Sequence, residues 1–151
     1  MSHSSGHNRG FTLIELMVVI TIIAVISSII FVVLNDARGK GNDTKVKAQL
    51  SAIRAKAELF YDSNASYNGS AGNISGSSIT ANSMFTDVAS GMSIQTLQSN
   101  YPSGATVTCY STVSTYAVSA LLPGQGDTNS WCVDSTGASK SRITPINSTA
   151  C

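Results

Sequence analysis

An uninterrupted apolar segment near the N-terminus places the strongest constraint on how this chain folds. Residues 11–34, FTLIELMVVITIIAVISSIIFVVL, are apolar apart from one glutamate and four hydroxyl side chains. At about 1.5 Å per residue a helix of this length measures roughly 36 Å, and a membrane's hydrocarbon core is about 30 Å thick. Because the segment contains no proline or glycine, we predict one continuous membrane-spanning helix.

Two simpler kinds of N-terminal segment share this composition. A secretory signal peptide has an apolar core of about 7–15 residues that ends at a small-residue cleavage site. The segment here is longer and no such site closes it, whereas a plain signal anchor stays open as an alternative. Basic residues flank the segment on both sides, so charge does not fix its orientation.

The helical pattern continues beyond the membrane segment. Apolar residues recur there at steps of four, three, four and three, which is typical of one face of an amphipathic helix. Gly39 and Gly41 interrupt the junction, and each costs about 1 kcal/mol relative to alanine inside a helix. We therefore predict one helix over residues 11 to about 62, with a soft joint near 39–43. The apolar face consists of Val46, Leu50, Ile53, Ala57 and Phe60.

The last two thirds of the chain are rich in Ser, Thr, Asn and Gly, a composition that favours β-strands joined by polar loops. We predict a polar loop, then a short helix or turn, then three strands separated by turns. The architecture that follows is α+β, a long helix packed on a small antiparallel sheet. In chain order the ranges are 63–82 for the loop, 83–98 for the short helix or turn, and 105–110, 116–122 and 130–134 for the strands.

Charge and residue types argue against several classes of function. The net charge of +1 implies no nucleic-acid partner. Lys140 and Arg142 are not accompanied by aromatic side chains on which bases could stack, so we interpret them as part of a solvent-exposed strand. Both histidines precede residue 10 and no CxxC pair is present, so we expect no metal site. Asp127 and Asp134 are interpreted as turn residues rather than calcium ligands. Without a histidine base a serine nucleophile has no activation, so we expect neither an enzyme nor a cofactor.

Glu15 is the most informative side chain, because a carboxylate deep in a membrane costs at least about 2.5–3.5 kcal/mol. Near the membrane interface the cost is small, which is the simpler interpretation. A second interpretation uses Gly10: cleavage between Gly10 and Phe11 creates an ammonium four residues before Glu15. In an assembly, Glu15 of one subunit would pair with the Phe11 ammonium of a neighbour and fix the axial register.

Residues 9–16, RGFTLIEL, followed by the aliphatic run, resemble the processing motif of type IV prepilins and type II secretion pseudopilins. The stretches 35–67 and 131–137 also resemble bacterial pilin-like proteins, and the resemblance thins between residues 68 and 105. The resemblance implies that a prepilin peptidase cuts after Gly10 and methylates the Phe11 amine, using S-adenosylmethionine. Many type IV pilins have a Pro or Gly inside the apolar helix, which residues 11–34 lack, so local melting is expected at Gly39–Gly41 instead.

The resemblance also implies a domain order and a role. The order is a cleaved leader, a membrane-spanning helix that becomes the filament core, an amphipathic helix, and a β-rich head. The expected role is the main subunit of a type IV pilus, a helical homo-oligomer built by inner-membrane assembly machinery. The chain would lie in the bacterial inner membrane first and on the cell surface afterwards. The ranges are 1–10, 11–34, 35–62 and 63–151.

Other roles stay open as alternatives. Within the family, the chain is a candidate type II secretion pseudopilin or minor pilin. From other classes, it is a candidate membrane-anchored binding domain that does not polymerise or, least favoured, an anchored enzyme. Gly10 and Glu15 argue against a simple anchor, because an anchor needs neither.

Three cysteines allow one disulfide within the chain and leave one thiol over. The predicted strands that carry Cys109 and Cys132 flank the strand at 116–122, which places these cysteines roughly 9–10 Å apart. A disulfide needs Cα atoms within about 7 Å, so we favour Cys132–Cys151, with Cys109–Cys132 as the rival. The favoured bridge would tie the C-terminal tail to the sheet and close a loop of roughly 20 residues, worth about 3 kcal/mol.

Overall fold

A long helix and a four-stranded sheet form most of the described structure, a computed structural model that covers residues 10–69, 83–96, 98–126 and 128–151. Most of the predicted leader, most of the predicted polar loop and Asp127 lie outside these described residues. The chain divides into two compact units, Met1–Ala37 and Arg38–Cys151.

Helix α1, Leu13–Asn64, is continuous over 52 residues and contributes to both units. In the first unit its side chains are exposed and mostly apolar. An 18-residue window has a mean hydropathy of 3.1, and none of its residues is buried within the chain. By length and composition, α1 is therefore able to cross a membrane.

The sheet lies in the second unit and is antiparallel throughout, in the order β1-β2-β3-β4. The predicted α+β fold is confirmed, with strands that begin and end within a few residues of the predicted ranges. The polar strand β4 was expected from Lys140 and Arg142 as a solvent-exposed strand. Short helical segments precede the sheet and follow β2. The bounds are Val107–Ser111 for β1, Tyr116–Leu121 for β2, Ser130–Asp134 for β3 and Ser139–Arg142 for β4, with α2 at Met92–Thr96 and 3-10 turns at Met84–Thr86, Gln98–Asn100 and Pro123–Gln125.

The main core lies between α1 and the inner face of the sheet. The whole predicted apolar face of α1 is buried, from Val46 to Phe60. It packs in one cluster with Tyr116, Val118 and Ala120, which alternate along β2 as one face of a strand requires. Each Val, Leu or Ile buried there stabilises the fold by about 1.5–3 kcal/mol, so the apolar face of α1 holds the helix on the sheet.

A second, smaller core covers the outer face of the sheet. Ala117 and Cys132 point to this side and pack against Ile146 of the C-terminal tail, which is only 3% exposed. The Ile146 amide donates to Ser119 Oγ at 3.2 Å, and Thr115 donates to Thr149 at 3.0 Å. The tail therefore has apolar and hydrogen-bonded anchors in addition to the disulfide, more than its sequence indicates.

The helix crosses the turn after β2 at a contact between two glycines. A Cβ added to Gly39 would lie 3.1 Å from the Cα of Gly124, and one added to Gly124 would collide with the Gly39 carbonyl. Beside this contact Asp43, which is 6% exposed, accepts a hydrogen bond from the Gly124 amide at 2.8 Å. The residues predicted as a soft joint thus include a close backbone crossing, and α1 is unbroken through them.

This crossing predicts opposite effects for two neighbouring glycines. A Cβ on Gly41 meets no heavy atom within 4 Å, so Gly41→Ala should raise the free energy of unfolding by about 1 kcal/mol through helix propensity. In Gly39→Ala this gain should be cancelled by the close contact of the new methyl group with the Gly124 backbone. Gly124→Ala should lower the free energy of unfolding, because its methyl group collides with the Gly39 carbonyl. Urea unfolding of the detergent-solubilised chain, followed by circular dichroism, measures all three. Equal gains for Gly39→Ala and Gly41→Ala would contradict the crossing.

Candidate assembly site

The N-terminal end of α1 carries a capping box. Thr12 immediately precedes the first helical residue, and Glu15 is the third residue of the helix. The Glu15 carboxylate accepts hydrogen bonds from the Thr12 amide at 2.8 Å and the Thr12 hydroxyl at 2.7 Å. In return, the Glu15 amide donates to the Thr12 hydroxyl at 3.3 Å. The pair satisfies donors that every helix N-terminus leaves without an intrahelical partner.

This capping box gives Glu15 a partner within its own chain. The carboxylate also lies in the first turn, where the positive end of the helix dipole favours an anion. Sequence reasoning assigned the partner of Glu15 to Phe11 of a neighbour and missed Thr12, although the T-x-x-E spacing before an apolar run was the signal for it. The described chain thus brings together Glu15 and Thr12, while Phe11 is 78% exposed.

Gly10 has no structural reason in the described part of the chain to be glycine. A Cβ built there meets no heavy atom within 4 Å, and its φ lies outside the left-handed region. Gly39 and Gly124, in contrast, are needed for a close approach. Packing within the described residues therefore does not require a glycine at position 10.

At the other end of the chain, Asp134 organises the C-terminus. Its Oδ1 accepts from the Thr136 amide and hydroxyl and from the Ala138 amide, and its Oδ2 accepts from the Cys151 amide at 2.8 Å. Burial by itself raises the pKa of this carboxyl, but the hydrogen bonds outweigh it and hold the pKa below the ordinary value. Asp134 is thus an anionic anchor for both the β3–β4 turn and the last residue of the chain.

The structure joins Cys132 to Cys151 in a disulfide with a Cα–Cα distance of 5.7 Å. Cys109 is a free thiol on β1 and packs in the main core, on the opposite face of the sheet from Cys132. Cys109 and Cys132 are separated because β2 lies between their strands and because they point to opposite faces of the sheet. Burial raises the pKa of the Cys109 thiol to about 12. Within the described ranges, no three His, Cys, Asp or Glu side chains are grouped as a metal site would require.

Comparison with known proteins identifies the N-terminal segment. Residues 6–31 match the family model described as the prokaryotic N-terminal methylation motif. Over 59 residues the chain is 42% identical to the type IV wide pilus major component PilA4 of Thermus thermophilus, an alignment that covers 39% of this chain and 45% of that protein. The matched part thus spans less than half the length of this curated relative. No solved structure matches the chain significantly. The resemblance to the type IV pilin family, drawn from residues 9–16, is confirmed.

Loss of the disulfide should destabilise the head without unfolding the main core. The double change Cys132→Ser with Cys151→Ser should lower the free energy of unfolding by about 3 kcal/mol. Cys109→Ala, which keeps the bridge and buries no new polar group in the core, serves as the control. Thiol titration of the wild-type chain should detect Cys109 only after denaturation, because the thiol is buried. A rapidly reacting thiol in the folded chain, or a Cys109–Cys132 peptide on non-reducing mapping, would overturn this assignment.

Asp134 should make the stability of the head depend on acid pH. Because its pKa is depressed by folding, its contribution is complete above the unfolded pKa and is lost as the pH falls through the lower, folded pKa. The stability difference between wild type and Asp134→Asn, measured by urea unfolding, should therefore shrink as the pH is lowered from 7 into that acid range. Asp62→Asn, at an exposed position, is the matched control. A wild-type advantage over Asp134→Asn that is the same at pH 7 and pH 3 would contradict this role.

Proposed function

We propose, from the premise that this chain carries the N-terminal segment of the type IV pilin family, that it is the main structural subunit of an extracellular type IV pilus. The observation that carries the proposal is an apolar helical segment that the chain itself leaves exposed and that has one carboxylate, Glu15, in its first turn. The role is structural rather than catalytic, and the surroundings of the segment change from membrane to filament.

The exposed apolar side chains define what the segment needs. Large side chains from Phe11 to Leu34 are 45–78% exposed, which is stable only in lipid or against other apolar surfaces. In the precursor, the bacterial inner membrane supplies that cover. In the filament, parallel copies of α1 supply it for one another, with the heads outside.

Glu15 gives the assembly its register. In the precursor, Thr12 satisfies the carboxylate with two neutral donors. After cleavage, the Phe11 ammonium of a neighbouring copy offers a full positive charge, and the attraction between opposite charges is much stronger in apolar surroundings than in water. Because the surrounding helices are apolar, this pair forms at only one axial offset between neighbours.

Gly10 fits processing by an external enzyme. The chain's own packing leaves room for a side chain at this position, so the glycine is best explained by a peptidase site that admits only a small residue. A prepilin peptidase would release residues 1–10 and methylate the new Phe11 amine. Inner-membrane assembly machinery would then move the subunit from the membrane into the filament.

A simple membrane anchor is the competing function from another class. It accounts for the apolar helix but gives Gly10 no role. A capping box also does not need a charge, since a glutamine at position 15 would cap the helix without the membrane cost of a carboxylate. The pilus role is favoured over a pseudopilin or minor pilin because the matched relative is named a pilus major component.

Processing predicts a defined N-terminus. Intact-mass analysis of fibres sheared from the cell surface should find a chain that begins at Phe11 and carries one additional methyl group. Gly10→Leu should leave the leader attached and abolish the fibres, while Gly41→Ala, a small change at an open position, should not. Sheared fibres in which the chain still begins at Met1 would contradict the proposed processing.

Charge at Glu15 should matter for assembly and not for membrane insertion. Glu15→Ala and Glu15→Gln should both insert, because each removes a charge from the membrane, and both should lose most of the sheared fibre. Glu15→Gln is the sharper variant, since it keeps an acceptor for Thr12 and removes only the charge. Wild-type amounts of fibre from Glu15→Gln would refute pairing with a neighbouring ammonium.

A further inference from the structure

Charge on the head is divided between two separate surfaces. Beyond residue 56 the chain has only two basic residues, Lys140 and Arg142, and both lie on the edge strand β4. Arg142 is held in place by donating to the Cys151 carbonyl, Lys140 is exposed, and the adjoining Ile143 is 81% exposed. Residues 140–143 therefore form a cationic strip with an exposed aliphatic side chain, here termed the basic edge.

The second surface is a concavity between the last turn of α1 and the segment 83–90. It consists of two adjoining grooves of about 490 and 410 Å³ that share Phe60, Asn64, Asp87 and Ala89. Their linings include two carboxylates, and also two aliphatic side chains that are 62% and 78% exposed. We term this concavity the acidic groove, defined by Leu59, Asp62, Asp87 and Val88.

The acidic groove suits a cation that has an apolar neighbour. No basic residue lies in the last turn of α1, although the carbonyls of a helix C-terminus favour a positive charge there. Lys56, one turn earlier, is engaged with a backbone oxygen at the rim of the groove, since it donates to the Ser90 carbonyl at 3.3 Å. The Ser90 amide donates to Asp87 Oδ2 at 2.6 Å, and hydrogen bonds from Ser90 hold the pKa of Asp87 below its ordinary value. Asp87 is therefore anionic at neutral pH, next to the exposed Val88.

We propose that the basic edge of one copy docks in the acidic groove of the next copy, an interaction that rests on the filament function proposed above. Lys140 lies against the carboxylates of the neighbour, and Ile143 covers its exposed Leu59 and Val88. The two surfaces are different parts of the chain, so the contact is heterologous. A heterologous contact does not close into a symmetric dimer. It generates an open filament when successive copies are also displaced along the axis, because the displacement prevents a ring from closing.

The positions of the two surfaces along α1 set the offset between copies. Arg54 donates to Ser139 Oγ at 3.1 Å, at the start of β4. Near its end, Ser141 pairs with Trp131, whose ring lies 4.8 Å from Lys47 Nζ. Along the axis of α1, the basic edge therefore lies beside the turns between Lys47 and Arg54. The acidic groove lies about ten residues closer to the C-terminal end of the helix. Docked copies are therefore displaced by roughly 15 Å along α1.

Cysteine cross-linking in assembled fibres tests this contact. The variant with both Asp62→Cys and Lys140→Cys should, after mild oxidation of sheared fibres, give a ladder of dimers, trimers and longer species on a non-reducing gel. Each single variant lacks one half of the contact and should give no ladder. A ladder from the double variant alone supports the docking. Fibres of the double variant that yield only monomer, or dimers from either single variant, overturn it.

Charge reversal provides a second measurement that needs no engineered bond. Lys140→Glu and Asp62→Lys should each reduce the amount of sheared fibre, by about fivefold if the contact is worth one exposed ion pair. Combining them restores opposite charges and should restore the fibre, which also shows that neither change prevents folding. Wild-type fibre amounts from both single variants, or no recovery in the combination, contradict the docking.

These results separate the docking from the function on which it rests. If wild-type fibres contain this chain and neither cross-links nor charge reversals have the expected effect, the docking is wrong and the filament role stands. If sheared fibres do not contain the wild-type chain, the proposed function fails and the docking falls with it.

Discussion

The exposed apolar surface of residues 11–34 is the constraint on which the rest of the structure depends. None of the residues in its most apolar window is buried by the chain, so the fold has to be completed by lipid or by other molecules. A single charged side chain, Glu15, interrupts this surface, and Thr12 satisfies it at the helix N-terminus. The segment is thus long and apolar enough to cross a membrane, and its one anion has a hydrogen-bonded partner within the same chain.

The head is built so that α1 is held rigidly to the sheet while the opposite face is closed by the chain's own tail. The buried stripe of α1 and the Gly39–Gly124 crossing fix the helix at two levels. Ile146, Asp134 and the Cys132–Cys151 bridge fix the tail over the outer face. Both faces of a small sheet are therefore covered.

Local patterns in the sequence predict the local parts of this structure well. The apolar stripe, three strands and the turn after β2 follow from periodicity and turn residues, and the strand order excludes the rival cysteine pair. Contacts between distant residues leave no such pattern: Asp43 and the Gly124 amide lie 81 residues apart in sequence. The docking of Ile146 was missed because one isoleucine in a polar tail has no periodicity. Thr12 was missed because the cost of placing the Glu15 carboxylate in a membrane was balanced only against a charge on a neighbouring chain. The T-x-x-E spacing of Thr12 and Glu15 nevertheless indicates a capping box.

The central claim is that copies of this chain bury residues 11–34 against one another. Helical reconstruction by electron cryomicroscopy of fibres sheared from the cell surface tests it most directly. We expect a fibre whose axis is a bundle of α1 helices, with Phe11 at the start of each helix beside Glu15 of a neighbour and the heads outside. A fibre without this chain at its axis, or a chain found only as a monomer in the membrane fraction, would contradict it.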